Sequence, residues 1–165
     1  MALPYSTALV VGAGSGLSAS LTRQLAREGL RLAIAARSPD KLASLCSETK
    51  ARAFACDASD PAQVEKLFKD VETAIGAPDV VDYNPSARAR GPLIDLVPDD
   101  VRKALIVSAF GGFLVAQQAV RRMLPKGKGA VLFTGASASV KGYAESAPFA
   151  MGKFALRGQI GRAHV

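Results

Sequence analysis

The chain has 165 residues, 49% of them hydrophobic and 21% charged, with seven Phe and three Tyr; this excludes a disordered or collagen-like chain and suits one hydrophobic core. Its formal charge is +7, but the basic residues lie in short scattered groups (Arg88 and Arg90, Arg121-Arg122, Lys126 to Lys128), so they read as solvated surface and no nucleic-acid partner is expected. The one histidine is His164, the cysteines Cys46 and Cys56 lack partners at zinc spacing, and no basic-then-apolar leader opens the chain; a metal site and Ser-His-Asp chemistry are not expected, and a reduced, cytoplasmic protein is.

Thr7 to Val11 is a short continuous apolar run that stops at glycines, as a strand buried on both faces of a parallel sheet does. A helix is predicted from Leu17 to Glu28, where Leu17, Leu21 and Leu25 recur at helical spacing and Gly29 supplies a stop. Leu30 to Ala35 reads as a second strand. Ser38 then fits an N-cap with Pro39 in the first turn of a helix that turns Leu42 and Leu45 inward. Ala51 to Cys56 supplies a third strand, Asp60-Pro61 opens a helix to about Ile75, and Asp79 to Tyr83 is a fourth strand. Pro98-Asp99 opens a long helix, Ala130 to Thr134 is a fifth strand, and a sixth helix starts near Ser146. The uncharged stretch Ala104 to Val120 approaches membrane-span length, but Ser108, Gly111, Gly112, Gln117 and Gln118 interrupt it, so a buried or interface helix is expected and no membrane partner. Five alternations of strand and helix predict an α/β fold with a doubly wound parallel sheet of Rossmann type in three α/β/α layers. Ligands in such sheets bind at the carboxyl ends of the strands.

Between the first strand and first helix stand Gly12-Ala13-Gly14-Ser15-Gly16-Leu17-Ser18. Glycines there allow a tight turn and let backbone amides approach a pyrophosphate at a helix N-terminus, so Gly12, Gly14, Ser15, Gly16 and Leu17 are candidate cofactor-binding residues. The usual dinucleotide fingerprint wants glycine at 17; the spacing here instead resembles the short-chain dehydrogenase/reductase turn with its last glycine replaced by Ser18. A site that selects NAD commonly carries a carboxylate at the end of the second strand, where this chain has Arg37-Ser38. A guanidinium forks onto a 2′-phosphate and the serine adds a hydroxyl, so NADP(H) is expected over NAD(H).

The resemblance to that family extends in order over residues 7 to 158. Cys56-Asp57-Ala58 is similar to the family's aspartate after the third strand, and Asn84-Pro85-Ser86 stands in place of its Asn-Ala-Gly; the likeness implies that Asp57 and Asn84 border the cofactor. Asp57 can equally begin a cap for the next helix, and Asn84-Pro85 is common turn chemistry. Ser137 and the helix carrying Phe149 and Lys153 follow the order of the family's Ser and Tyr-x-x-x-Lys, and residues four apart share a helical face. In the family the serine holds the carbonyl oxygen, the tyrosine passes a proton, and the lysine lowers the tyrosine pKa and binds the nicotinamide ribose. Position 149 is phenylalanine, with no proton to give, and the family's asparagine aligns with Ser108. Two of the four catalytic positions therefore match, Ser137 and Lys153. Tyr143 is the nearest phenol in sequence and a possible substitute, Lys153 or water is a second, and binding without turnover is a third reading. Arg88 and Arg90 are within reach of a substrate carboxylate or phosphate, but two arginines in a loop read first as solvated.

The resemblance implies hydride transfer between NADP(H) and a small-molecule carbonyl or alcohol, with a non-catalytic dinucleotide sensor or structural subunit as the alternative. It implies an incomplete NADP(H)-binding domain over residues 1–159 that lacks the family's last strands, and a homo-oligomer for the complete chain, paired through the long fourth helix and the helix following the fifth strand. Residues 160–165, Ile-Gly-Arg-Ala-His-Val, break the resemblance and are expected to be a non-native tail.

Overall fold

The computed structural model describes residues 4–160. In it β1 (Thr7–Val11) is wholly buried, and its small and branched apolar side chains serve two layers at once. Leu9 and Val11 join the core under one helical layer, while Ala8 and Val10 join the core under the other, as the two-residue period of a strand dictates. Four further strands complete a parallel sheet: β2 (Arg31–Ala36), β3 (Arg52–Ala55), β4 (Val80–Tyr83) and β5 (Ala130–Phe133). Their spatial order is β3-β2-β1-β4-β5. Register runs Val11 beside Ala35 and Tyr83, and Tyr83 beside Phe133. The sheet order reverses between β1 and β4, and the cleft that forms there at the strands' carboxyl ends is where a doubly wound sheet takes its ligand.

Helices α1 (Leu17–Arg27) and α2 (Ala43–Thr49) cover one face through Ala19, Leu25 and Leu45. On the other face lie α3 (Pro61–Ile75), α4 (Pro98–Leu105), α5 (Gly111–Met123) and α6 (Ala147–Gly158). Phe68 of α3, Val115 of α5 and Leu156 of α6 meet one core there. Asp60 starts α3 as expected, its carboxylate accepting from the Ala62 and Gln63 amides at 2.8 and 3.2 Å with Pro61 in the first turn.

Three local expectations are corrected. The Ser38 side chain makes no capping bond: Pro39–Leu42 is a short 3-10 turn, and α2 begins only at Ala43 and ends at Lys50 in a left-handed conformation. The second and third strands run Arg31–Ala36 and Arg52–Ala55, shifted or trimmed by a residue, because the Gly29 turn and the left-handed Lys50 set where pairing begins. The long helix is not uniform: Ile106–Phe110 is a π-helical turn between α4 and α5. Directly after it, Gly111 lets the helix close on the loop that follows β3, where a Cβ would stand 2.6 Å from the Ala58 carbonyl oxygen. The whole run Pro98–Lys126 is long and apolar enough to span a membrane by length and composition. It packs Val115, Ala119 and Met123 into the core and leaves Phe110 and Phe113 exposed and stacked on each other, ring centroids 6.3 Å apart. At the sheet margin β5 pairs with β4 alone among the described residues, and Leu132 is exposed. The tail expected at 160–165 lies outside the described residues beyond Ile160, as does His164.

Candidate functional site

Gly12 turns the chain out of β1 with φ +78°, a conformation that disfavours a side chain, and a Cβ there would stand 2.6 Å from the Pro85 ring. Its carbonyl accepts from Asn84 Nδ2 at 3.1 Å, so the ends of β1 and β4 are locked together across the switch point. Ser18 closes the turn from inside the first helix: its Oγ accepts from the Gly14 amide at 2.9 Å and donates to the Gly14 carbonyl at 3.3 Å. At the position expected for the last glycine of the turn there is thus a buried hydroxyl that holds the loop shut.

A cleft of about 620 Å³ opens over this turn. Its walls include Gly12, Gly14 and Ser15 from the first turn, Arg37 and Ser38 after β2, Asp57 after β3 and Asn84 after β4. Four loops thus bring seven of the sequence-predicted residues to one cavity. Gly16 and Leu17 do not line it; Gly16 caps α1 and Leu17 points outward, 63% exposed. The Asp57 carboxyl lies below the usual carboxylate range because the Ser59 hydroxyl and amide donate to it at 2.6 and 2.9 Å, with the Arg37 charge adding to this. The capping role falls to Asp60 instead, while the Asp57 amide donates to Gln63 Oε1. Lys41 also lines the cleft, a cation the sequence reading missed; its signal was a basic residue three positions after Ser38 at the cap of the next turn. Arg37, Lys41 and Ser38 give this end of the cleft a positive, hydroxyl-bearing wall suited to phosphate.

The second group of predicted residues gathers around α6 and lies outside the walls of that cleft. Helix α6 starts at Ala147 after Ser146, with Pro148 in its first turn, and then projects Phe149 and Lys153 from successive turns. The Lys153 ammonium is 5.8 Å from the Phe149 ring centroid. Lys153 is only 3% exposed and donates to the Thr134 carbonyl at 2.6 Å, tying α6 to the end of β5. Burial, and secondarily the Arg88 charge, push its pKa below the usual lysine value. Ser137 opens a 3-10 turn, Ser137–Ser139, that packs against α6, and its side chain is exposed. Ser108 is fully buried on the π turn, with its Cβ in the space a Gly152 side chain would need and its Oγ accepting from the Ala87 amide at 3.3 Å. Tyr143 sits apart in the exposed loop before α6, where its ring faces the Lys141 ammonium at 5.0 Å. The contact that no sequence pattern indicated is Arg88 on Phe149, guanidinium carbon 4.3 Å from the ring centroid.

The chain matches the short chain dehydrogenase family over residues 6–163. It is 28% identical over 161 residues to D-threitol dehydrogenase of Mycolicibacterium smegmatis, covering 94% of this chain and 62% of that protein. It is 29% identical over 160 residues to a versicolorin reductase of Emericella nidulans, covering 93% of this chain and 60% of the relative. Among solved structures, a variant of actinorhodin polyketide ketoreductase with NADPH superposes with a TM-score of 0.89 at 26% identity, covering 96% of this chain and 64% of that one. The chain thus spans about three-fifths of the length of these relatives. Sheet order, glycine turn and the match along nearly its whole length together make this chain a member of the short-chain dehydrogenase/reductase family.

Proposed function

We propose that the chain forms the dinucleotide-binding part of an NADP(H)-dependent oxidoreductase that moves a hydride between the nicotinamide and a small carbonyl or alcohol compound. The observation that carries this reading is the single cleft walled by the Gly12 turn, Arg37, Ser38, Asp57 and Asn84. The residues fit such a cofactor: Gly12 has no room for a side chain beside Pro85, and the far wall offers a guanidinium and a hydroxyl where a 2′-phosphate needs them. The relative solved with NADPH supports the same choice.

In this reading Gly12, Gly14 and Ser15 hold the pyrophosphate at the start of α1, which Gly16 caps, Arg37 and Ser38 hold the 2′-phosphate, and Asp57 and Asn84 flank the adenine and nicotinamide ends. The cofactor supplies the hydride chemistry when bound. Lys153, anchored on the Thr134 carbonyl, presents a desolvated charge near the reacting end, and the exposed Ser137 hydroxyl is the donor for the substrate oxygen. Phe149 holds no proton, and Ser108 is already engaged with the Ala87 amide, so proton delivery falls to Tyr143, to Lys153 or to water. The absent phenol also supports the second reading, a dinucleotide sensor or structural subunit without turnover.

Exposed Phe110, Phe113, Met151 and Phe154 on α5, its π turn and α6 support a homo-oligomer paired through these helices. Seven basic side chains are engaged in ion pairs among the described residues, including Arg122 with Glu72 and Lys126 with Asp79, and the rest form no long basic run, which supports a function without nucleic acid. Two free thiols, Cys46 and Cys56, suit the reducing cytoplasm. The deciding experiment titrates the full-length protein with NADPH and NADH and then follows NADPH consumption over a panel of aldehydes and ketones. Tight NADPH binding with consumption is the expected result; binding without consumption selects the sensor, and no binding overturns both.

A further inference from the structure

The loop that leaves β4 has two anchors before it reaches Arg88. Asn84 Nδ2 holds the Gly12 carbonyl, and the Ala87 amide holds Ser108 Oγ on the π turn. The next residue sets its guanidinium 4.3 Å from the centre of the Phe149 ring, the ring that stands at the position of the family's proton donor. Lys153 approaches the same ring at 5.8 Å. Two cations therefore flank one apolar ring that has no hydroxyl to engage either of them.

Arg88 and Lys153 form no ion pair among the described residues. Segment 84–91 has Arg88 and Arg90 and no acid, and segment 134–153 has Lys141 and Lys153 with Glu145 as its single acid. Glu145 meets the first loop through its backbone carbonyl, which accepts from the Gly91 amide at 3.2 Å. A guanidinium held over an aromatic ring has N–H groups left for a planar anion, and Arg88 makes no side-chain hydrogen bond among the described residues that would use them.

We propose that Arg88, stacked on Phe149, is the specificity residue of this site and that the substrate is a carbonyl or alcohol compound bearing a carboxylate, which Arg88 takes by a two-point contact. The proposal rests on the oxidoreductase reading for the identity of the reacting group, while the preference for a carboxylate is a property of the chain alone. Phe149 is then a platform that orients the guanidinium, and the neighbouring Lys153 adds charge to the same end of the site.

The test uses the full-length protein and two probes that differ in one charge, 4-formylbenzoate and its methyl ester. Their binding is measured by calorimetry with and without saturating NADP+, which permits no reduction of the aldehyde. The wild type is expected to prefer the carboxylate about ten- to hundredfold. Arg88→Met is expected to abolish that preference, Arg88→Lys to keep part of it, and Arg90→Met to leave it intact. Affinity for NADP+ stays unchanged in all three variants, and melting curves identify any that fail to fold. Equal binding of the two probes by the wild type overturns the proposal without needing a variant, as does a preference that survives Arg88→Met. A loss of NADP+ affinity in Arg88→Met, matching the loss for the probe, assigns Arg88 to the dinucleotide and also overturns it. If the wild type binds no NADP+, the oxidoreductase reading fails, and the probe pair measured without dinucleotide still decides the role of Arg88.

Discussion

The Ser18 hydroxyl accepts from the Gly14 amide at 2.9 Å and donates to the Gly14 carbonyl at 3.3 Å, so one buried side chain satisfies both polar groups of a loop glycine. Ser18→Ala leaves both groups without that partner, and a bond of this kind contributes about 1 kcal/mol. The expected result is a melting temperature lower by about 2–4 °C in the full-length protein. The same change releases the Gly14 amide toward the cleft, so NADPH affinity is expected to hold or rise. A fall in affinity larger than the fall in stability indicates that the closed turn is the binding form.

Arg37 and Asp57 face one cleft from the ends of adjacent strands, and the Arg37 charge helps keep the Asp57 carboxyl ionised. Arg37→Asp replaces a phosphate partner by a second carboxylate. A charge-assisted hydrogen bond contributes about 1.5–3 kcal/mol, so NADPH affinity is expected to fall by roughly ten- to hundredfold while NADH affinity rises. Unchanged selectivity in a binding titration removes the argument for NADP(H).

Phe149→Tyr returns a hydroxyl to the ring between Arg88 and Lys153. Both cations favour the phenolate, so the new group is expected to titrate below the ordinary tyrosine range and to serve as acid and base. General acid catalysis contributes about 10²–10⁴-fold, and carbonyl reduction is expected to rise by a factor in that range. No gain at any pH favours the sensor reading or another proton donor.

Much of the backbone around this site is legible in the sequence. Continuous apolar strands, the glycine turn and the Asp60-Pro61 cap are local patterns, and each fixes a piece of backbone by itself. The spacing of Phe149 and Lys153 was legible for the same reason, since four residues of helix bring side chains to one face. Lys41 and the seat of Arg88 on Phe149 escaped because loops carry no period: Arg88 reaches Phe149 only after Asn84 and Ala87 have been tied to Gly12 and Ser108, two contacts made across the fold. The π turn escaped because the sequence around Ser108 reads as ordinary helix; its register is set by close approach, Gly111 against Ala58 and Gly152 against Ser108.

Two buried aspartates near the sheet give the protein opposing pH responses. Asp79 is held down at about 2: burial works to raise it, but the Ser6 amide and hydroxyl, both at 2.9 Å, and Lys126 at 3.2 Å outweigh that. Asp82 on β4, beside Leu132 of β5, has burial acting alone and is pushed up to about 6. For Asp79 the folded value lies below the unfolded one, so its stabilisation is present above pH 4 and is lost as pH falls toward 2. For Asp82 the folded value lies above the unfolded one, so the cost of its buried charge is fully present above pH 6 and is relieved as pH falls from 6 to 4. Thermal melts of the full-length protein are therefore expected to rise from pH 7 to about pH 4 through Asp82 and to fall below pH 4 through Asp79. Asp82→Asn is expected to raise the melting temperature at pH 7 by several degrees, equivalent to about 2 kcal/mol, and to flatten the rise between pH 6 and 4. Asp79→Asn is expected to do the reverse, lowering stability at pH 7 and removing the acid-side fall. Identical pH profiles for Asp82→Asn and wild type would show that the Asp82 carboxylate is solvated in the full-length fold.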